Sequence, residues 1–188
     1  MNRIYLDHAA TTYLDDAVKA AMEPYWQDKF GNASTIYKEG CDARSALNAA
    51  RKNIASLIGA NPDEIIFTNG GTESDNLAIF GIGRLYKKGH IITTKIEHHA
   101  VLNPCEVLEK EGFKVTYLDV GKDGIIDAKE LKKALRKDTV LVSVMYANNE
   151  IGTIQPIKEI AKVIRDYKTK NKNQKIYFHT DAIQAAGY

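Results

Sequence analysis

The sequence predicts an α/β protein: a mostly parallel sheet flanked on both faces by helices. Three observations predict it. From residue 65 onward, short apolar runs alternate with longer segments of helical periodicity, the pattern of right-handed βαβ crossovers. The runs are continuously apolar rather than alternating, as in Val140-Leu141-Val142-Ser143-Val144, which suits strands buried on both faces. Polar side chains gather just after the runs, where ligands bind in such sheets.

The elements follow in order. Residues 3–6 read as a short strand, and Asp7-His8-Ala9-Ala10-Thr11-Thr12 as a loop. Asp15 or Asp16 caps a helix running to about residue 29, with Pro24 inside or ending it. Over 40–59, Ala43, Leu47, Ala50, Ile54 and Leu57/Ile58 recur at helical spacing, and Gly59 suits the left-handed residue that closes the helix. Strands are then expected over 65–68, 90–94, 114–118, 139–144 and 175–179. Helices are expected over 73–88, 100–111, 128–137 and 157–168.

Bulk properties narrow the function classes. The chain has 188 residues and a net charge of +2, too small to point to a nucleic-acid or membrane surface. No apolar run is long enough to span a bilayer. Cys41 and Cys105 show no CxxC spacing, so neither a disulfide framework nor a metal site is expected, and a cytoplasmic setting is.

The stretch Ile65-Ile66-Phe67-Thr68-Asn69-Gly70-Gly71-Thr72-Glu73-Ser74 joins an apolar run, a Gly-Gly turn and a helix start. The first N–H groups of a helix lack intrahelical partners and sit at its positive end, so such a turn can seat an anion. The other strand ends carry Lys95-Ile96-Glu97-His98-His99, Asp119-Val120, Met145-Tyr146-Ala147-Asn148-Asn149-Glu150 and Thr180-Asp181-Ala182-Ile183-Gln184. Singly, each has an ordinary explanation: a polar loop for His98 and His99, turn formation for Asn148 and Asn149, helix capping for Asp181, exposure for Gln184. Together they suit a phosphorylated aromatic heterocycle. Gly71 and Thr72 take the phosphate, His98 stacks on the ring, Asp181 pairs with a protonated ring nitrogen, and Asn149 and Gln184 bond a ring oxygen. Pyridoxal 5'-phosphate has those groups.

These stretches resemble the cysteine desulfurases of the NifS/IscS type, among the class V pyridoxal-phosphate aminotransferases. The resemblance rests on Tyr5-Leu6-Asp7-His8-Ala9-Ala10-Thr11-Thr12, Phe30-Gly31-Asn32, Phe67-Thr68 with Asn76-Leu77-Ala78, Glu97-His98-His99-Ala100-Val101-Leu102, Asn148-Asn149-Glu150-Ile151-Gly152 and His179-Thr180-Asp181-Ala182-Ile183-Gln184. It implies the large domain of a fold-type I pyridoxal-phosphate transferase, with residues 1–14 contributing to the rim, residues 15–188 forming an incomplete large domain, and a C-terminal small domain absent. It places phosphate contacts on Gly71 and Thr72, ring stacking and a candidate proton shuttle on His98, ring-oxygen contacts on Asn149 and Gln184, and the pyridinium carboxylate on Asp181.

The resemblance also implies an activity: L-cysteine to L-alanine, with the sulfur left as an enzyme persulfide for iron-sulfur cluster or thiolated tRNA synthesis. L-cysteine is then the substrate, scaffold or carrier proteins take the sulfur, and the parent is a homodimer. Two features depart from the family. Ala33 stands where a proline often follows Gly-Asn, and the family's Schiff-base lysine, acceptor cysteine and substrate-binding arginine lie beyond Tyr188. Lys95 is the rim lysine that could stand in for the first. The chain alone is therefore expected to be inactive. A non-catalytic binding or scaffold remnant, half of a split enzyme, and another class V enzyme such as a selenocysteine lyase are the alternatives.

Overall fold

The computed structural model describes residues 4–172 and 175–186. The chain divides into two compact units, residues 1–67 and 68–188.

In the first unit, α1 spans Asp16–Met22, with the Asp15 carboxylate accepting from the Ala17 N–H as its cap. Pro24 does not continue the helix: a single 3-10 turn, Glu23–Tyr25, follows. The long helix α2 spans Lys38–Ile58, and Gly59 closes it at φ 68°, a conformation that costs glycine little. Two expectations fail here. Residues 4–6 form no strand (Arg3 lies outside the described residues), and neither do residues 65–68. A strand exists only by pairing, and among the described residues neither segment pairs. The apolar stripe of α2 is also largely open: Leu47, Ile54, Leu57 and Ile58 are all exposed.

The second unit is the α/β body. Its elements are α3 (Gly71–Leu85), β1 (His90–Thr94), α4 (His99–Lys110), β2 (Lys114–Leu118), α5 (Ala128–Ala134), β3 (Thr139–Ser143), α6 (Ile157–Asn171) and β4 (Tyr177–His179). All strand pairs are parallel, in the order β2-β1-β3-β4. Successive residues of a strand face opposite sides. Ile91 and Leu141 therefore pack with Ile79, Val101, Cys105 and Leu108 from α3 and α4. Ile92 and Val142 pack with Leu131, Ile160 and Ile164 from α5 and α6. Each such fully buried side chain contributes roughly 1.5–3 kcal/mol. The sequence-predicted helices and strands from residue 71 onward are all present, with ends shifted by a few residues; α5 and β3 stop short, at Ala134 and Ser143.

The order of strands places a site. The chain leaves β1 through α4 on one face and leaves β3 through α6 on the other. The loops after β1 and β3 thus turn opposite ways, which opens a crevice at their carboxyl ends.

Candidate functional site: the carboxyl rim of the sheet

A pocket of about 330 Å³ lies in that crevice. Its walls are the loop after β1, with Glu97 and His98, and the loop after β3, with Asn148 and Asn149. His98 is also the N-cap of α4: its Nδ1 accepts the Ala100 N–H at 3.0 Å. The ring hydrogen then sits on Nε2, the nitrogen left to face a ligand.

The anion seat is formed by the start of α3. Gly70 precedes it with no side-chain cap on the helix, so the first N–H groups keep their donor capacity. Glu73 turns back and accepts from both the Asn69 N–H (2.7 Å) and Asn69 Nδ2 (2.9 Å), and these bonds hold its carboxyl below the usual range. Gly71 lies against the Asp181-to-Gln184 segment: a Cβ there would overlap Ile183 Cδ1. The seat and the Asp181 segment are therefore neighbours in space.

Asp181 is 8% exposed. Its Oδ1 accepts from the Ile183 N–H at 3.0 Å; residues 183–186 form a turn, so among the described residues Asp181 braces that turn and caps no helix. Burial, opposed by this bond and reinforced by Asp75, raises its carboxyl above the ordinary range, while His179 and His98 pull the other way. Such a carboxyl gains from a cationic partner.

Behind it, Asp75 on α3 is 2% exposed and lies 3.5 Å from His179 Nε2. His179 Nδ1 is 2.9 Å from Ser143 Oγ. The Ser-His-Asp order resembles a nucleophilic triad, but Ser143 is fully buried, where no substrate reaches it. The group reads as support for the rim.

The sequence-derived set is thus brought together in two groups. His98 and Asn149 share the crevice, Gly71 adjoins the segment carrying Asp181, and Asp181 senses His98 electrostatically. Thr72 and Gln184 are exposed. Lys95 forms a 2.7 Å ion pair with Asp119, both well exposed. Cys105 is fully buried, and burial pushes its thiol up to about 12, which excludes it as a nucleophile near neutral pH. Cys41 is partly exposed and lies 3.3 Å from Arg44 Nη2.

Sequence reasoning passed over Asp75, Glu97, Asn148 and His179 as working groups. Asp75 was findable: with Ile79 and Gly83 it makes an i, i+4, i+8 stripe, all buried. The bonds of Glu97 and Asn148 cross between loops far apart in sequence, and no local spacing records them.

A fit to the phosphorylated heterocycle is supported by atoms of the rim itself. Asp75 Oδ2, Glu97 Oε2 and Thr180 Oγ1 are buried without a partner among the described residues, unspent polar capacity at the carboxyl end of the sheet. No helix of the described residues is long and apolar enough to cross a membrane.

Residues 4–188 match the aminotransferase class-V family. The chain is 56% identical over 187 residues to a cysteine desulfurase IscS of Dictyoglomus turgidum, covering 98% of this chain and 46% of that protein. It is 54% identical to a putative cysteine desulfurase IscS 1 of Bacillus subtilis, covering all of this chain and 48% of the other. Among solved structures, a NifS-like protein superposes with a TM-score of 0.92 at 39% identity, over 99% of this chain and 50% of that one. A structure described as SspA in complex with cysteine gives 0.89 at 44% identity, over 96% and 51%. The chain spans about half the length of the curated relatives it matches. It belongs to the aminotransferase class-V family.

Proposed function

We propose that this chain forms the cofactor cradle of a pyridoxal-phosphate-dependent cysteine desulfurase, an enzyme that takes L-cysteine to L-alanine and keeps the sulfur as an enzyme persulfide. One observation carries the reading: a buried carboxyl raised above its ordinary range, Asp181, stands beside a helix start with uncapped N–H groups and senses a histidine of the adjoining crevice. When bound, the protonated pyridine ring withdraws electrons from the substrate's α-carbon.

The chain's own residues do the rest. The Gly71 and Thr72 N–H groups would hold the phosphate. The Asp181 carboxylate would keep the ring nitrogen protonated, because an opposite charge beside a buried acid favours the charged form of both. His98, with its Nδ1 occupied by Ala100, would lie against the ring and keep a proton at Nε2. Asn149 and Gln184 would bond the ring oxygen. L-cysteine as substrate is supported by the cysteine desulfurases among the relatives and by the SspA complex with cysteine. Sulfur-accepting scaffold or carrier proteins and a homodimeric parent belong to the same reading; the open apolar stripe of α2 supports the latter. The two unpaired cysteines support a reducing cytoplasmic setting.

Titration of the chain with pyridoxal phosphate, followed by absorbance, tests the cradle. D181A is expected to weaken binding by about tenfold or more, the effect of losing a charge-assisted hydrogen bond. Equal affinity in the variant and the parent sinks the assignment of Asp181.

A further inference from the structure

The two walls of the crevice are not held together by the sheet. The last paired residues of β1 and β3 are Ile92 and Val142. Beyond them the backbones diverge. The Lys95 N–H donates to Leu118 O, toward β2. The Val144 and Tyr146 N–H groups donate to His179 O and Asp181 O, toward β4. Among the described residues, no backbone hydrogen bond joins the loop after β1 to the loop after β3.

Two side chains span the gap, each reaching from one loop to the backbone of the other. Glu97 Oε1 accepts from the Met145 N–H at 2.9 Å and from Thr94 Oγ1 at 2.7 Å. Asn148 Nδ2 donates to Ile96 O at 2.9 Å. The Asn148 Oδ1 end also accepts from the Glu150 and Ile151 N–H groups, so one amide fixes its own turn and the opposite wall. Both residues are buried. Glu97 directly precedes His98, and Asn148 directly precedes Asn149.

We infer that Glu97 and Asn148 are positioning residues: a crossed clasp that sets the separation of His98 from Asn149 and so fixes the crevice for a planar ring. The inference rests on the cradle reading above. Glutamate and asparagine suit the task because the gap needs an acceptor facing an N–H on one side and a donor facing a C=O on the other. Burial raises the Glu97 carboxyl to about 7 against its own hydrogen bonds; the site thus tolerates an uncomfortable group to keep the acceptor in place.

The test combines amide hydrogen exchange with pyridoxal phosphate titration on the whole chain. E97A should speed exchange at the Met145 amide about tenfold or more, as loss of a buried hydrogen bond implies, and weaken pyridoxal phosphate binding about tenfold. E97Q keeps an acceptor oxygen and should restore both to within about threefold. N148D keeps the oxygen that Glu150 and Ile151 use but loses the donor to Ile96; it should leave those two amides protected while weakening binding. D181A is the control, expected to lose affinity with Met145 protection intact. Unchanged Met145 protection in E97A overturns the clasp. Lost protection with undiminished affinity in both E97A and N148D overturns the positioning role and leaves the cradle standing. A parent chain that binds no pyridoxal phosphate overturns the cradle and the positioning role together.

Discussion

Asn76 Nδ2 donates to the Ala100 carbonyl at 3.3 Å, and that carbonyl is the one Pro104 leaves without its helical donor. Proline has no N–H, and four residues earlier in α4 stands Ala100. Asn76, which also donates to Thr72 O at 2.7 Å, thus fills the gap from α3 and ties the phosphate-seat helix to the helix that His98 caps. N76A is expected to cost about 1–2 kcal/mol, the effect of stranding a part-buried carbonyl. In the P104A background the restored amide can satisfy Ala100 from within the helix. N76A should then cost clearly less there. Denaturant unfolding of the four proteins of this cycle measures the coupling; equal costs in both backgrounds refute the pairing.

Much of this was legible from local pattern. The apolar run Val140-Leu141-Val142 marked β3 and the β-branched stretch Ile91-Ile92-Thr93-Thr94 marked β1, and the helical stripes gave α3, α4 and α6, because burial on a sheet selects those periods directly. The segments that fail to form strands among the described residues, 4–6 and 65–68, look apolar enough, but pairing is a property of the neighbour and not of the segment. The rim residues were legible as a set because a parallel sheet gathers all its strand ends on one side. Their supports were not. Asp75 facing His179, Glu97 reaching Met145 and Asn76 reaching Ala100 are contacts between elements, and sequence spacing does not encode which loops face each other. Ordinary roles hold at the same time: His98 caps α4, and Asp181 and Asn148 each brace a turn. The same atoms serve backbone and site.

Asp75 and His179 act on Asp181 with opposite signs. Asp75, a second buried carboxyl, raises the Asp181 carboxyl, and His179 lowers it. D75N is therefore expected to lower the Asp181 titration midpoint and H179Q to raise it, with burial still holding both above an ordinary aspartate. Carboxyl-carbon NMR of the Asp181 side chain reads this without any ligand. An unmoved midpoint in D75N would mean that the two carboxyls do not sense each other.

Two buried groups give the second unit opposing pH dependences. Glu97 is pushed up to about 7 from 4.5, first by burial. A folded state that holds a proton the unfolded state has lost is destabilised as pH rises, so between 4.5 and 7 Glu97 removes about 3 kcal/mol. His90, fully buried between Thr139 Oγ1 at 2.9 Å and Thr116 Oγ1 at 2.8 Å, is lowered to about 4 from 6.5, first by burial and then by Arg136. Burial favours the neutral ring, which can accept from one threonine hydroxyl and donate to the other. Here the unfolded state binds the extra proton, and stability rises by about 3 kcal/mol as pH goes from 4 to 6.5. The two slopes nearly cancel in the parent. E97Q removes one of them, so the variant should gain stability over the parent as pH rises from 4.5 to 7. Denaturant midpoints across that range measure the difference, and parallel curves for parent and E97Q would show that Glu97 does not carry the raised titration.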